Sequence, residues 1–274
     1  MTVSGHSNDR MELIVGDLRA ECDALATLLS ERNKSDWNTR TRFYSWSVYD
    51  EIAHLALFDE LAVLAAADAS AFAAERDALE RVLASGVEVS EFARRRYATH
   101  DGPKLAAFWQ DRYRSLGARL KLLDPKDRLP WFGPSMSARS FVTARLMETW
   151  AHGQDIYDAF GLPRLPSPRL RHIAHLGVLT FAWSFQNRGM AVPAAMPYVC
   201  LEGTDGATWN WGEETATDWI RGSALDFCLV VTQRRHWRDT HLAARGSTAE
   251  NWLVHAQCFA GSPVMGPPEG SFPR

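Results

Sequence analysis

Apolar residues in the first part of the chain recur every three to four positions, the spacing of one buried face of an α-helix. Met11, Ile14, Leu18, Cys22, Leu25, Leu28 and Leu29 form one such stripe, which predicts a helix from Arg10 to near Arg32 behind a loose polar segment at 1–9. Residues 33–46 are polar with interspersed aromatics and read as a connection. Ser47, with Asp50 three positions later, has the layout of a capping box and opens a helix over Val48–Ala67. On it His54, Leu57, Phe58 and Leu61 share a face, so His54 points inward. Residues 69–84 are helical in composition, and the run Arg94-Arg95-Arg96 within Glu91–His100 reads as a solvated face. Pro103 starts a long helix through Leu105, Trp109, Tyr113, Leu116 and Leu120. Asp124 to Asp127 breaks that helix, Pro130 to Pro134 reads as a rigid aromatic loop, and a further helix covers Ser137–Phe160 until Gly161 and Pro163 stop it.

Three prolines in 162–168 mark a linker, after which the pattern changes. A helical period covers 169–187. Tyr198–Glu202 and Ala207–Trp211 then read as short strands joined by a turn containing Gly203 and Gly206. Thr215–Arg221 is a candidate third strand. Ser223 caps a helix over Leu225–Arg235, Thr240–Ala244 is another strand, and Thr248–Phe259 a last helix. From Gly261 the tail is rich in proline and glycine and irregular. The division that follows is a helical domain at 10–165, a small α+β domain at 166–262 and a tail at 263–274.

Composition narrows the function classes. With 274 residues and 46% apolar content, the chain can bury two ordinary cores. A net charge of −3 with mixed signs leaves no basic footprint for nucleic acid and no polybasic membrane patch. The four cysteines show no CxxC spacing, so neither a cysteine zinc site nor a disulfide framework is indicated. There is no basic-then-apolar leader pattern and no apolar run near the ~20 residues of a membrane span, which gives a cytoplasmic protein as the expectation.

The chemistry concentrates in Arg145–Asp155. Glu148 and His152, four apart on a helix, lie on one face within reach of a single ion. A carboxylate oxygen and an imidazole nitrogen suit zinc or a similar divalent metal, although a direct hydrogen bond between the two would also satisfy them. Two ligands hold a metal poorly, and the candidate third is His54, whose bland reading is a core histidine. Asp155 can orient His152 through its other ring nitrogen, and Asp50, one turn before His54, is either a second partner or a cap. His172 and His175 form a competing pair, but no carboxylate stands at i±3 or i±4 of either, and they read as structural or rim residues.

Two segments carry a resemblance. Trp46-Ser-Val-Tyr-Asp50-Glu-Ile-Ala-His54-Leu resembles the first motif of the mycothiol-dependent maleylpyruvate isomerase family, within the DinB/YfiT-like superfamily of metal-binding four-helix bundles. The stretch Arg145–Asp155 resembles that family's second motif, R-x-x-E-x-W-x-H-x-x-D. The resemblance implies a mainly α chain: an N-terminal DinB-like four-helix bundle followed by a small α+β, sterol-carrier-protein-like domain. It implies His54, Glu148 and His152 as ligands of a divalent metal, most simply zinc, with mycothiol as co-substrate. It places an arginine linked to catalysis at Arg234 or Arg235, able to hold an anionic group. The implied partners are a low-molecular-weight thiol and a small electrophile, acted on by a monomer or homodimer through isomerisation or S-transfer. The rival expectations are a non-catalytic metal- or apolar-ligand-binding protein and a metal-dependent hydrolase using bound water.

Overall fold

A computed structural model describes residues 3–272 other than 215, with side chains from residue 11 onward. The chain is mainly helical and divides into two compact units, residues 1–163 and 164–274. Among the described residues no helix is long and apolar enough to cross a membrane.

In the first unit, four helices make the bundle: α1 (Val3–Ser30), α2 (Val48–Ala67), α5 (Gly102–Leu120) and α6 (Ala138–Ala159). α1 and α2 each pack on both α5 and α6. The core residues are those the periodicity selects: Met11, Leu25, Leu57, Leu61, Trp109 and Phe141 are at most 2% exposed. Each such side chain contributes roughly 1.5–3 kcal/mol on burial, so packing outweighs helix propensity here. α1 begins at Val3, earlier than the loose N-terminal segment expected, of which residues 1–2 lie outside the described residues.

α2 starts as its sequence dictates. The Ser47 hydroxyl accepts the Asp50 N–H, and the Asp50 carboxylate accepts the Ser47 N–H at 2.9 Å. The shorter helices α3 (Ala69–Ala84) and α4 (Val89–Arg96) pack on α2. The three arginines of α4 are exposed, as the composition suggests. Arg94 donates to Asp50 at 2.5 and 2.6 Å, and Arg96 to Glu60 at 3.1 and 3.2 Å, so both tie α4 to α2. Arg95 pairs with Glu91 within its own helix.

The aromatic stretch expected as a loop is a hairpin, β1 (Arg128–Trp131) and β2 (Gly133–Ser137). Gly133, at φ 124°, makes the reversal that a side chain would strain, and Pro130 sits where the register is irregular, a place a residue without an N–H tolerates. The hairpin packs on α2, α3 and α6, with Trp131 stacked on Phe72 at 5.6 Å.

Arg145, the first residue of the second motif, lies in the bundle core at 3% exposure. Its Nε donates to Asp59 Oδ1 at 3.0 Å, while Trp109 Nε1 donates to Asp59 Oδ2 at 2.8 Å. One buried ionic contact thereby joins α2, α5 and α6.

The second unit is α+β. Helices α7 (Leu170–Leu179) and α8 (Phe181–Gln186) replace the single helix expected over 169–187. The break falls at Thr180, whose hydroxyl donates to the Leu176 and Gly177 carbonyls and competes with continuation of the helix. The four-stranded sheet has the order β4-β3-β5-β6, from β3 (Tyr198–Glu202), β4 (Thr208–Trp211), β5 (Trp219–Ser223) and β6 (Ala243–Arg245). β3 and β5 are parallel and the outer pairs antiparallel. β5 starts four residues later than expected, Thr215 being outside the described residues, and β6 is displaced toward Arg245. Between β5 and β6 runs α9 (Ala224–Val231), capped by Ser223; α10 (Ser247–His255) follows. The core of this unit centres on Phe185, Phe227 and Trp252. His175 Nδ1 accepts from Trp211 Nε1 at 3.1 Å, a structural contact of the kind expected for that histidine.

Candidate metal centre

The residues singled out on α2 and α6 meet inside the first unit. Where the two helices pack together, His54 on α2 faces Glu148 and His152 on α6. His152 Nε2 is 3.3 Å from Glu148 Oε2, and His54 Nε2 is 3.7 Å from the same oxygen. One ligand atom from each of the three lies within 4.8 Å of the others. The helical i,i+4 spacing sets the α6 pair, and the packing of α2 against α6 supplies the third member.

Burial by itself would push the Glu148 carboxyl up. Hydrogen bonding and charge from His152 and then His54 outweigh it and hold Glu148 well below the usual carboxylate range. A carboxylate ionised at neutral pH therefore sits beside two imidazoles. The side chain of His152 is 4% exposed, that of His54 13% and that of Glu148 25%, so the cluster opens on the carboxylate side.

Sequence reasoning missed Glu51. Its Oε2 lies 2.7 Å from His152 Nδ1, and the Thr41 hydroxyl donates to its Oε1 at 2.7 Å. Glu51 is fully buried. The available signal was an acidic residue amid Ile52, Ala53, Leu55 and Ala56, where only a partnered carboxylate is tolerated. Asp155, expected to orient His152, is 7% exposed and has an oxygen within 4.8 Å of ligand atoms of Glu51 and His152. Asp50 is taken up by the α2 cap and by Arg94.

Aromatic rings wall the cluster. Trp46 lies parallel to His152 with centroids 6.0 Å apart, Phe43 meets that ring edge-on at 5.3 Å, and Phe58 is 4.6 Å from His54. Phe132 of the hairpin follows at 5.6 Å from Phe58. The chain's own thiol in this bundle core is no nucleophile: burial pushes Cys22 well above its ordinary value, with Asp59 adding to the effect.

The donor set fits a divalent ion. Two imidazole nitrogens and a carboxylate oxygen are zinc-type ligands, and three protein ligands leave a coordination position for a reactant. The buried Glu51, 2.7 Å from Nδ1 of His152, is placed to accept the hydrogen there, which would leave the Nε2 lone pair for an ion.

The arginines lie in the second unit. The expected helix over 225–235 ends at Val231, because Gln233 turns to φ 59° and the Arg234 and Arg235 N–H groups both fold back to the Leu229 carbonyl. Arg234 is 5% exposed and its guanidinium donates to the Thr232 carbonyl at 2.6 Å. Arg235 lies over the Phe272 ring at 3.7 Å and lines a cavity of about 420 Å³ with Gln233, His236 and Met265.

The profile of the mycothiol maleylpyruvate isomerase N-terminal domain matches residues 18–157, a span that holds all three cluster residues. Two relatives from Mycobacterium tuberculosis, uncharacterized proteins of strains CDC 1551 and H37Rv, are each 39% identical over 255 residues, covering 92% of this chain and 97% of the relative. Among solved structures, a mycothiol-dependent maleylpyruvate isomerase aligns with a TM-score of 0.57 at 15% identity, over 88% of this chain and 94% of that one. A histidine-to-alanine variant of such an isomerase aligns with a TM-score of 0.54 at 14% identity, over 82% and 90%. At these identities the structural likeness speaks to the fold.

Proposed function

Since the chain belongs to the mycothiol maleylpyruvate isomerase family, we propose that it is a metal-dependent enzyme that activates a low-molecular-weight thiol, mycothiol, against a small electrophile. The observation that carries this reading is the convergence of His54, Glu148 and His152, two imidazoles and one ionised carboxylate, in the segment that matches the family. These three residues would hold the ion, most simply zinc. When bound, such an ion supplies positive charge that favours thiolate over thiol, whose pKa of about 8.5 otherwise leaves it mostly protonated at neutral pH.

The remaining work falls to the chain's own residues. Glu148 brings a negative charge that offsets the ion, and its exposed side leaves an approach for sulfur. Phe43, Trp46 and Phe58 limit water around the cluster and offer apolar contact to a conjugated electrophile. Addition of thiolate to an activated double bond, rotation about the resulting single bond and expulsion of the same thiolate give isomerisation with no net change in atoms. Displacement of a leaving group by thiolate gives S-transfer instead. Cys22, held as a buried thiol, is not the proposed source of the sulfur, which mycothiol supplies.

Arg234 and Arg235 are the proposed holders of an anionic group on thiol or electrophile. The cavity beside Arg235 supports it as the more accessible of the two. Arg235→Met is expected to raise KM for an anionic reactant about 10- to 100-fold, the value of one hydrogen bond to a charged group, with a smaller change in kcat. Steady-state kinetics with anionic and neutral electrophiles check this; equal loss on both would remove Arg235 from recognition of charge. The activity itself is tested with purified protein, mycothiol and maleylpyruvate or another electrophile, with and without chelator. Thiol-dependent, chelator-sensitive turnover is expected. Turnover without thiol would replace thiol chemistry with hydrolysis.

A further inference from the structure

The turn before α2 is built against the backbone's preference. Tyr44 and Ser45 both take positive φ, 48° and 55°, and the Trp46 N–H closes on the Phe43 carbonyl at 2.9 Å. Two consecutive residues of this hand match a type I′ turn, which ordinarily takes Asn-Gly. Such strain persists only where surrounding contacts over-determine it. Here the surroundings are specific. The Thr41 N–H bonds the Trp46 carbonyl at 2.7 Å, and Arg40 donates to the Ser45 carbonyl at 2.9 Å.

Three residues of this segment bear on one imidazole, and Trp46 also meets His54 with centroids 5.3 Å apart. Phe43 meets His152 edge-on, Trp46 covers its face, and the Thr41 hydroxyl holds the Glu51 carboxylate, whose other oxygen lies 2.7 Å from Nδ1. His152 is thus fixed on a face, an edge and one nitrogen.

We infer that Glu51, held by Thr41 of the strained 41–46 turn, is a positioning residue that locks His152 in the Nδ1–H tautomer with Nε2 directed at His54 and Glu148. The consequence for metal affinity rests on the ligand set proposed above; the tautomer does not. A carboxylate fully buried at 0% exposure is costly unless partnered, and both of its oxygens have a partner at 2.7 Å. Loss of an outer partner of this kind weakens metal binding about 10- to 100-fold.

The test uses full-length wild type, Glu51→Leu, Thr41→Val and Glu148→Ala. Zinc affinity is measured by competition with a chromogenic chelator, and the ring tautomer of His152 by ¹⁵N correlation spectra of the metal-free protein. Glu51→Leu is expected to lose about 10- to 100-fold in affinity and the single tautomer. Thr41→Val, missing one hydrogen bond, is expected to lose about fivefold; it carries the test if Glu51→Leu does not fold. Affinity within twofold of wild type in Thr41→Val and in folded Glu51→Leu, with Glu148→Ala unable to bind, overturns the positioning role and leaves the ligand set standing. Wild type unable to bind zinc removes the ligand set, while an Nδ1–H tautomer lost on removing Glu51 still upholds the positioning role. An Nε2–H tautomer in wild type overturns it.

Discussion

Replacing Glu148 with alanine is expected to abolish both stoichiometric metal binding and thiol-dependent turnover. Glu148 is the one carboxylate among the three clustered residues, and its oxygen lies within 3.7 Å of both histidine nitrogens. Without it two imidazoles remain, too few ligands and no negative charge to offset a dication. The loss in affinity should exceed the roughly 10- to 100-fold that follows removal of an outer hydrogen-bond partner. Stability should change little by comparison, because the side chain is a quarter exposed. Metal analysis after dialysis, circular dichroism and the mycothiol assay read the three quantities separately. A folded Glu148→Ala protein that keeps one ion per chain would show that the ion sits elsewhere.

Arg145→Met is expected to produce the largest loss of stability, about 3–5 kcal/mol, because it leaves the Asp59 carboxylate buried without its cation. A loss of that size is a large part of the 5–15 kcal/mol that holds an ordinary domain together. The double variant Asp59→Leu, Arg145→Met removes both charges. It leaves only the Trp109 N–H without its acceptor, at about 1–3 kcal/mol, and should be more stable than Arg145→Met alone. Urea unfolding of the metal-free proteins, followed by tryptophan fluorescence, checks the order, since bound metal would add its own stabilisation. A single variant as stable as wild type would mean that the buried ion pair carries no weight in the bundle.

These two residues show what a linear reading can and cannot reach. The i,i+4 pair of Glu148 and His152 is a local relation fixed by helical geometry, so it is legible from spacing alone. The inward face of His54 is also local. That His54 then meets the pair depends on the packing of α2 against α6, which only the resemblance to a known bundle supplied. The apolar setting of Glu51 was legible, but that Thr41 partners it, and that Asp59 meets Arg145 from 86 residues away, was not. Helix ends were read well where a capping side chain marks them, as at Ser47, Ser137 and Ser223. Reading failed where backbone geometry overrode composition. Pro130 at a register irregularity and Gly133 at positive φ turned an apparent loop into a hairpin, and the Thr180 hydroxyl split an otherwise continuous helical period. In the second unit β3 and β4, flanking a glycine-marked turn, were read to within a residue, while β5 and β6, without such a turn between them, were found but displaced.

X-ray absorption at the zinc edge tests the central claim most directly. Zinc-loaded wild type should show one ion per chain with a first shell of nitrogen and oxygen only, at about 2.0–2.1 Å, including two imidazoles. Addition of mycothiol should bring in one sulfur at about 2.3 Å. A sulfur shell already present without thiol, or a first shell with no imidazole, would contradict a centre formed by His54, Glu148 and His152.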